Sequence, residues 1–279
     1  ISSGVNACSS NLLRISVALL GVRIVFSDIV DIGLTAPLII VTAMILTIGF
    51  GIQMAKILKL PKQYGLLTGG SVAVCGVSAA AAISSVLPKS EHQEKFFALT
   101  VIGITTFSTS VMLIYPLIAE YLGLSPQLAG IFIGGTIHDV AQVVGAGYSV
   151  SETTGDTATY IKLLRVALLM PIVLSIFFIF NRKRAQQESL AEWAGGLVPT
   201  FLMGFIVLAI AKNVGIIPDV VVELFSVMSH WGLIIAMAAI GVKTSLGQVA
   251  SLGWRPIALL ASETIFIAGV VLLGIFYFL

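Results

Sequence analysis

Seven apolar stretches, each close to the length that a bilayer demands, follow one another along this chain. They fall at 11–27, 35–57, 93–121, 157–181, 196–213, 229–246 and 255–278. A helix needs about 20 apolar residues to cross the hydrocarbon core, and the shortest of these reach it only if flanking residues snorkel. Their number predicts an all-α polytopic membrane protein. Composition agrees: 58% of residues are hydrophobic and 10% charged, where soluble domains carry roughly a quarter charged residues, and the mean hydropathy is +1.07. No polar linker divides the 279 residues, so residues 1–279 read as a single transmembrane domain. Residues 218–229, opened by Pro218-Asp219, look like an amphipathic lead-in to the following helix. The net charge of +2 says nothing useful about nucleic acid, because the basic residues lie at segment ends rather than in one patch. Cys8 and Cys75 are too few and too far apart for a disulfide framework. Nothing resembles a cleavable signal peptide, and Ile1 without a methionine suggests a trimmed or processed start.

Two further apolar segments, 63–86 and 126–149, are interrupted by paired glycines: Gly69-Gly70-Ser71-Val72 and Gly134-Gly135-Thr136-Ile137. Each pair is expected to start a new small-residue helix directly behind it. Irregular backbone survives in a bilayer only where protein or a water-filled cavity covers it. Two such breaks therefore point to a transporter's substrate site. Each segment either crosses as a kinked, discontinuous helix or enters and leaves on one side as a re-entrant hairpin. Counting Lys and Arg near segment ends favours hairpins. With hairpins, Arg14, Lys56, Lys59, Lys62, Lys89, Lys95, Arg182, Lys183, Arg184, Lys243 and Arg255 share one face, against Arg23 and Lys212 on the other. If both segments cross, Lys89 and Lys95 change sides and the asymmetry shrinks. The basic face is then cytoplasmic, and Asp28, Asp31, Glu120, Glu152 and Asp156 face outward.

A shift of 220 residues lays Leu13, Ala18, Gly21, Val22, Gly33, Ile45 and Gly49 on identical residues, from Leu233 to Gly269, and puts Arg23 on Lys243. The two copies have opposite orientation, as in an inverted-repeat transporter. The same shift sets 196–213 opposite a stretch before residue 1, which predicts a further N-terminal helix in the natural protein.

Several motifs resemble the YeiH-type sulfate exporter family. Gly69 to Ala79 is similar to that family's Cys-Gly motif, around Cys75-Gly76. Gly134-Gly135-Thr136-Ile137-His138-Asp139-Val140-Ala141-Gln142 is similar to its His-acid-Val-Ala-Gln motif. Lys162-Leu163-Leu164-Arg165-Val166 with Pro171 matches its Lys-x-x-Arg-Val stretch, and Leu12-Leu13-Arg14 through Gly21, and Gly241, also fit. The resemblance covers essentially the whole chain. It implies an inner-membrane secondary transporter with inverted repeats, for which sulfate is an inferred substrate.

The candidate residues have both structural and functional readings. Thr136-x-x-Asp139 is a capping-box pattern, with Thr136 at N-cap and Asp139 at N3. His138 and Gln142, four apart, would share a helix face, and His138 is the side chain whose charge changes most easily near neutral pH. Lys162 and Arg165 share a face one or two turns into their helix. Burying either costs about 2.5–3.5 kcal/mol, so such residues face a pathway or partner, although Lys162 is near enough to the end to snorkel. Glu263, about eight residues into the last helix, either pairs with Lys243 or Arg165 or carries a coupling proton. Cys75 reads as a small buried residue rather than a reactive thiol.

Together these parts describe an anion cradle. Helix starts behind each glycine pair present free amides and a positive dipole end. Ser71, Ser78 and Thr136 add hydroxyls, and Lys162 and Arg165 balance a divalent ligand. The expected binding set is Gly69, Gly70, Ser71, Cys75, Ser78, Gly134, Gly135, Thr136, His138, Gln142, Lys162 and Arg165. His138, Asp139 and Glu263 are the coupling candidates. The expected activity is secondary transport of a small anion, sulfate or a related oxyanion, by alternating access in the inner membrane. No cofactor, metal or nucleic acid is expected; the partners are the anion and the bilayer, with homo-oligomerisation open. The alternatives are an anion channel or a membrane-embedded enzyme using His138, Asp139 and Cys75.

Overall fold

The computed structural model describes residues 11–23, 33–88, 93–180, 200–243 and 253–279. Cys8, Asp28, Asp31, Lys89, Arg182, Lys183 and Arg184 lie outside the described residues, as does the side chain of Lys243.

The described residues form helices and no strand. They are α1 (Leu13–Leu19, continued by a 3-10 turn Leu20–Arg23), α2 (Thr35–Ile57), α3 (Lys62–Ala73), α4 (Val77–Val86), α5 (Gln93–Tyr121) and α6 (Pro126–Thr136). There follow α7 (Val140–Val150), α8 (Glu152–Ala167), α9 (Leu169–Phe180), α10 (Thr200–Asn213), α11 (Asp219–Lys243) and α12 (Trp254–Phe278). Five stretches are long and apolar enough to cross a membrane: α2, α5, α8 with α9, the Asp219–Ala236 part of α11, and α12. The lead-in expected at 218–229 is not separate, because α11 runs through it without a break. The helix expected from 157 starts at Glu152, because Ser151 caps it by accepting from Thr154 N–H at 3.1 Å.

Hydroxyls inside α5 show how a polar side chain lives in such a helix. Thr100, Thr105, Thr106, Thr109 and Ser110 each donate to the carbonyl four residues earlier. That bond satisfies the hydroxyl locally where no water can. Ser108 does not follow the pattern, and its side chain belongs to the site described below.

Both glycine-marked segments fold back on themselves. In the first, Gly70 of α3 lies against the Ile83 side chain of α4, thirteen residues on. In the second, Thr154, just past the end of α7, donates at 3.0 Å to the carbonyl of Pro126, the first residue of α6. The start and the end of that segment are therefore neighbours.

The breaks do not lie where the glycines predicted. The first occupies Val74–Gly76 and the second Ile137–Asp139, so Gly69, Gly70, Gly134 and Gly135 sit inside the last turns of α3 and α6. Their lack of a side chain serves packing instead. A Cβ on Gly69 would lie 3.1 Å from the Thr47 carbonyl of α2, and one on Gly134 2.9 Å from Ala158 Cα of α8. A Cβ on Gly135 would lie 2.5 Å from the Ile40 side chain. Small residues let helix backbones approach closely where lipid supplies no hydrophobic drive to associate. Within the breaks, the glycine needed for its backbone angle is Gly76, at φ 69°.

The α2 and α12 helices run antiparallel between the two folded segments. Ile39 meets Gly274, Phe50 stacks on Phe266 at 4.1 Å, and Gly51 adjoins Glu263. On the other side, α10 and α11 each pack on α1 and its 3-10 continuation, and this group reaches the rest mainly through α7 and α8. Arg23 strengthens that junction, with Nε 3.2 Å from Asp156 Oδ1 and its ring neighbour Tyr148 donating to the same carboxylate.

Candidate functional site

The two breaks touch. A Cβ on Gly76 would lie 3.4 Å from the carbonyl oxygen of His138. The helices that end here, α3 and α6, point their carbonyls at one another's neighbourhood, and each end carries a partial negative charge.

Two buried cations from α8 neutralise those ends. Arg165 donates from Nε to Ala73 O at 2.9 Å, from Nη1 to Gly134 O and Ile137 O at 3.0 Å each, and from Nη2 to Val72 O at 2.7 Å. Lys162 donates from Nζ to Val74 O at 2.7 Å, Ile137 O at 3.0 Å and His138 O at 2.5 Å. Both side chains are 0% exposed. An ammonium has three donors, and all three of Lys162 are used; every nitrogen of the Arg165 fork is engaged as well. Lys162 is therefore directed inward to backbone carbonyls and does not snorkel, and the donors expected for an anion are bonded to carbonyls here. The two cations brace the C-terminal ends of α3 and α6 across the crossing.

The helices that begin at the breaks behave differently from each other. α7 is capped by Asp139, whose carboxylate accepts from Ala141 N–H at 3.2 Å. The capping box expected from Thr136 does not form: the N-cap lies three residues on, at Asp139, and Thr136 instead donates to Phe132 O at 2.6 Å. His138 precedes the cap, so it does not share a helix face with Gln142. Its Nε2 lies 2.9 Å from Thr264 Oγ1 of α12. α4, in contrast, starts at Gly76 with no side-chain cap, and Ser78 on its first turn is exposed. Of the two positive helix starts, one already holds a carboxylate and the other has no side-chain cap.

Gln142 links α7 to α5. It accepts from Ser108 Oγ at 2.8 Å and donates to Thr109 Oγ1 at 3.3 Å, while Ser108 Oγ also accepts from Asp139 N–H at 3.1 Å. One to two turns further along these helices lies an open cavity of about 700 Å³, lined among others by Met112, Pro116, Glu120, Ala129, Gly145 and Ser149. The Gln142 network stands between that cavity and the crossing.

The remaining sequence candidates divide. Ser71 is buried and donates to Leu67 O at 2.5 Å, so its hydroxyl is spent on its own helix. Cys75 is a buried free thiol inside the first break. Glu263 is buried, but its partner is Thr68, whose Oγ1 lies 2.7 Å from Oε1, and not Arg165. Sequence reasoning missed Ser108, Thr109, Thr68 and Thr264. The signal for the first two is the hydroxyl-rich run Thr105-Thr106-Phe107-Ser108-Thr109-Ser110 in an otherwise apolar helix. Among the described residues, no hydrogen bond joins the side chains of His138, Asp139 and Cys75 to one another. A nucleophile, base and orienter need such contact.

A family model described as Conserved hypothetical protein 698 matches residues 1–260. The chain is 46% identical over 269 residues to UPF0324 membrane protein CT0845 of Chlorobaculum tepidum, covering 96% of this chain and 75% of that relative. It is 44% identical over 275 residues to UPF0324 membrane protein RB0971 of Rhizobium meliloti, with 99% and 79% covered. It is 43% identical over 272 residues to UPF0324 membrane protein TauZ of Paracoccus denitrificans, with 98% and 80% covered. No solved structure matches the chain.

Proposed function

The chain belongs to the conserved hypothetical protein 698 family, the YeiH-type UPF0324 membrane proteins, and on that premise we propose that it is a secondary transporter for a small anion. Sulfate or a related oxyanion is the substrate class, the inner membrane the location and alternating access the mechanism.

The observation that carries this reading is the asymmetry of the crossing. Arg165 and Lys162 donate to carbonyls at the ends of both α3 and α6, while the start of α4 at Val77 and Ser78 has no side-chain cap. Backbone amides at a helix start bind oxyanions without a full positive charge. Lys162 reaches the first break itself, at the carbonyl of Val74, two residues before Gly76 at the start of α4. The Asp139 carboxylate at the start of α7 leaves room for one anion rather than two.

Two further features support the class. Segments that fold back on themselves inside an apolar chain suit re-entrant hairpins, with irregular backbone covered by protein. The 220-residue shift superposes α2 on α12, which run antiparallel as inverted copies do. Gly33 and Gly253, paired by that shift, both take positive φ (71° and 77°) just before those helices. The α1, α10 and α11 group would be the frame against which the hairpin unit moves.

The test is radiolabelled sulfate uptake in proteoliposomes, comparing wild type with Ser78→Glu. Position 78 is exposed, and an acid in a first helical turn does not unfold the helix. It does fill the amide site with a tethered carboxylate. Uptake lost in Ser78→Glu with melting unchanged supports the site. Equal uptake in both removes the α4 start from it, and no flux of sulfate, sulfite, a sulfonate or a carboxylate by wild type refutes the class. Uphill accumulation separates a carrier from a channel.

A further inference from the structure

We propose that Glu263 and Thr68 form a proton-binding switch, and that it is the coupling site of the transporter proposed above. The inference rests on that transport reading, and its own observation is the geometry around one buried carboxyl.

Glu263 is wholly buried in α12. Its Oε1 enters a slot where α2 and α3 meet almost backbone to backbone. A Cβ on Gly51 would lie 2.5 Å from that oxygen and 2.7 Å from Gly65 O. Glycine at 51 therefore makes room for the carboxyl as well as for the helix contact. Oε2 has no hydrogen-bond partner, and among the described residues no cationic side chain forms an ion pair with Glu263.

The groups facing it are few. From α3 come Thr68 and Tyr64, and from α5 comes Tyr115, whose hydroxyl donates to Thr264 O at 3.3 Å. α2 presents Gly51, and α6 presents no titratable residue. Lys56, Lys62 and Lys95 are on exposed helix ends. Lys162 and Arg165 spend their donors on carbonyls.

Thr68 supplies the switch. Its Oγ1 lies 2.7 Å from Glu263 Oε1, 3.1 Å from Tyr64 O and 3.4 Å from Gly65 O. A hydroxyl has one hydrogen and two lone pairs, so it cannot donate to all three acceptors. With a proton on Glu263, the carboxyl O–H donates to Thr68 Oγ1, whose own hydrogen goes to Tyr64 O. Both short contacts are then satisfied. Without it, the Thr68 hydrogen turns to Oε1, Tyr64 O loses a donor, and the carboxylate sits in an apolar interior with a single hydrogen bond. A buried charge so poorly solvated drives rearrangement.

Both arms of the switch reach the crossing. Thr264, the next residue on α12, is the one bonded to His138. Thr68 is one turn before Val72, whose carbonyl Arg165 holds. Release of the proton thus pulls on α12 and α3 at the two places that brace the breaks.

Two measurements test this. In proteoliposomes, Glu263→Gln keeps the acid's shape and its donor, so sulfate counterflow without a pH gradient should persist. Uptake driven by an inward proton gradient should be lost. Gradient-driven uptake at the wild-type level in Glu263→Gln overturns the proposal. Independently of transport, infrared difference spectra of wild type between acidic and alkaline buffer should show a carboxylic C=O band. That band should vanish in Glu263→Gln and shift in Thr68→Val, and its absence from wild type, or its persistence unshifted in both variants, also overturns the proposal. If wild type moves no anion the transport reading fails, while the infrared band still decides the proton site. If Glu263→Gln does not fold, Thr68→Val decides by the same band.

Discussion

Replacing Arg165 by alanine tests the brace at the crossing most directly. Among the described residues, the guanidinium is the only side-chain donor bonded to the carbonyls of Val72, Ala73 and Gly134, whereas Ile137 O keeps its bond from Lys162. A buried carbonyl left without a donor costs about 1–3 kcal/mol. Three of them amount to about 3–9 kcal/mol, toward the lower figure if water enters the space vacated. For a chain of this size each kcal/mol lowers the melting temperature by about 2–4 °C, so Arg165→Ala should melt at least about 6 °C below wild type. The assay is thermal unfolding in detergent followed by size exclusion. Arg165→Lys should fall between, since one ammonium cannot span both helix ends. Because Lys162 shares Ile137 O with Arg165, each single variant leaves that carbonyl one donor, and the double variant with Lys162→Met should lose more than the sum of the single losses. If Arg165→Ala instead melts within about 1 °C of wild type while its thermal shift with sulfate disappears, Arg165 is a substrate ligand and the bracing argument is wrong.

Other consequences are open to similar checks. Gly134→Val should prevent α6 from seating on Ala158, costing about 1–3 kcal/mol or more; Gly49→Ala, which meets nothing within 4 Å, should leave the folded fraction on gel filtration unchanged. Gln142→Ala should loosen the network between cavity and crossing and, in a Cys8→Ser background, speed alkylation of Cys75 about tenfold, equivalent to about 1.4 kcal/mol; an unchanged rate would mean that Gln142 does not close the path. Arg23→Gln removes ion pairs to the half-buried Asp156 and exposed Glu152, and should cost about 1 kcal/mol, read as a melting shift that shrinks in high salt. Impermeant thiol reagents should label cysteines placed at Lys62 and Lys95 from the same face, and labelling from opposite faces would show that the first folded segment crosses the membrane.

The apolar pattern alone marked the long apolar helices, although the spans expected at 11–27 and 196–213 are not among the five stretches of the described residues long enough to cross lipid. Spans 35–57 and 93–121 coincide with Thr35–Ile57 and Gln93–Tyr121, because a backbone in hydrocarbon must satisfy its own hydrogen bonds and helix length then follows apolar length. The presence of two interrupted segments was legible too, and so was the burial of Lys162 or Arg165 against a partner. Where the interruptions fall was not. Gly69-Gly70 and Gly134-Gly135 have the local chemistry of breaks, yet they lie inside helices, because Thr47 and Ala158 on neighbouring helices need the space that a side chain would fill. The roles of the two cations were likewise decided in three dimensions. Only when α3, α6 and α8 meet do the carbonyls of Val72, Ala73, Val74, Gly134, Ile137 and His138 converge on them. Glu263 finds Thr68 only across a glycine contact between helices far apart in the chain. Hydropathy is a property of each residue by itself, whereas donors and acceptors in lipid must be matched pair by pair, and the chain's path through space makes those matches.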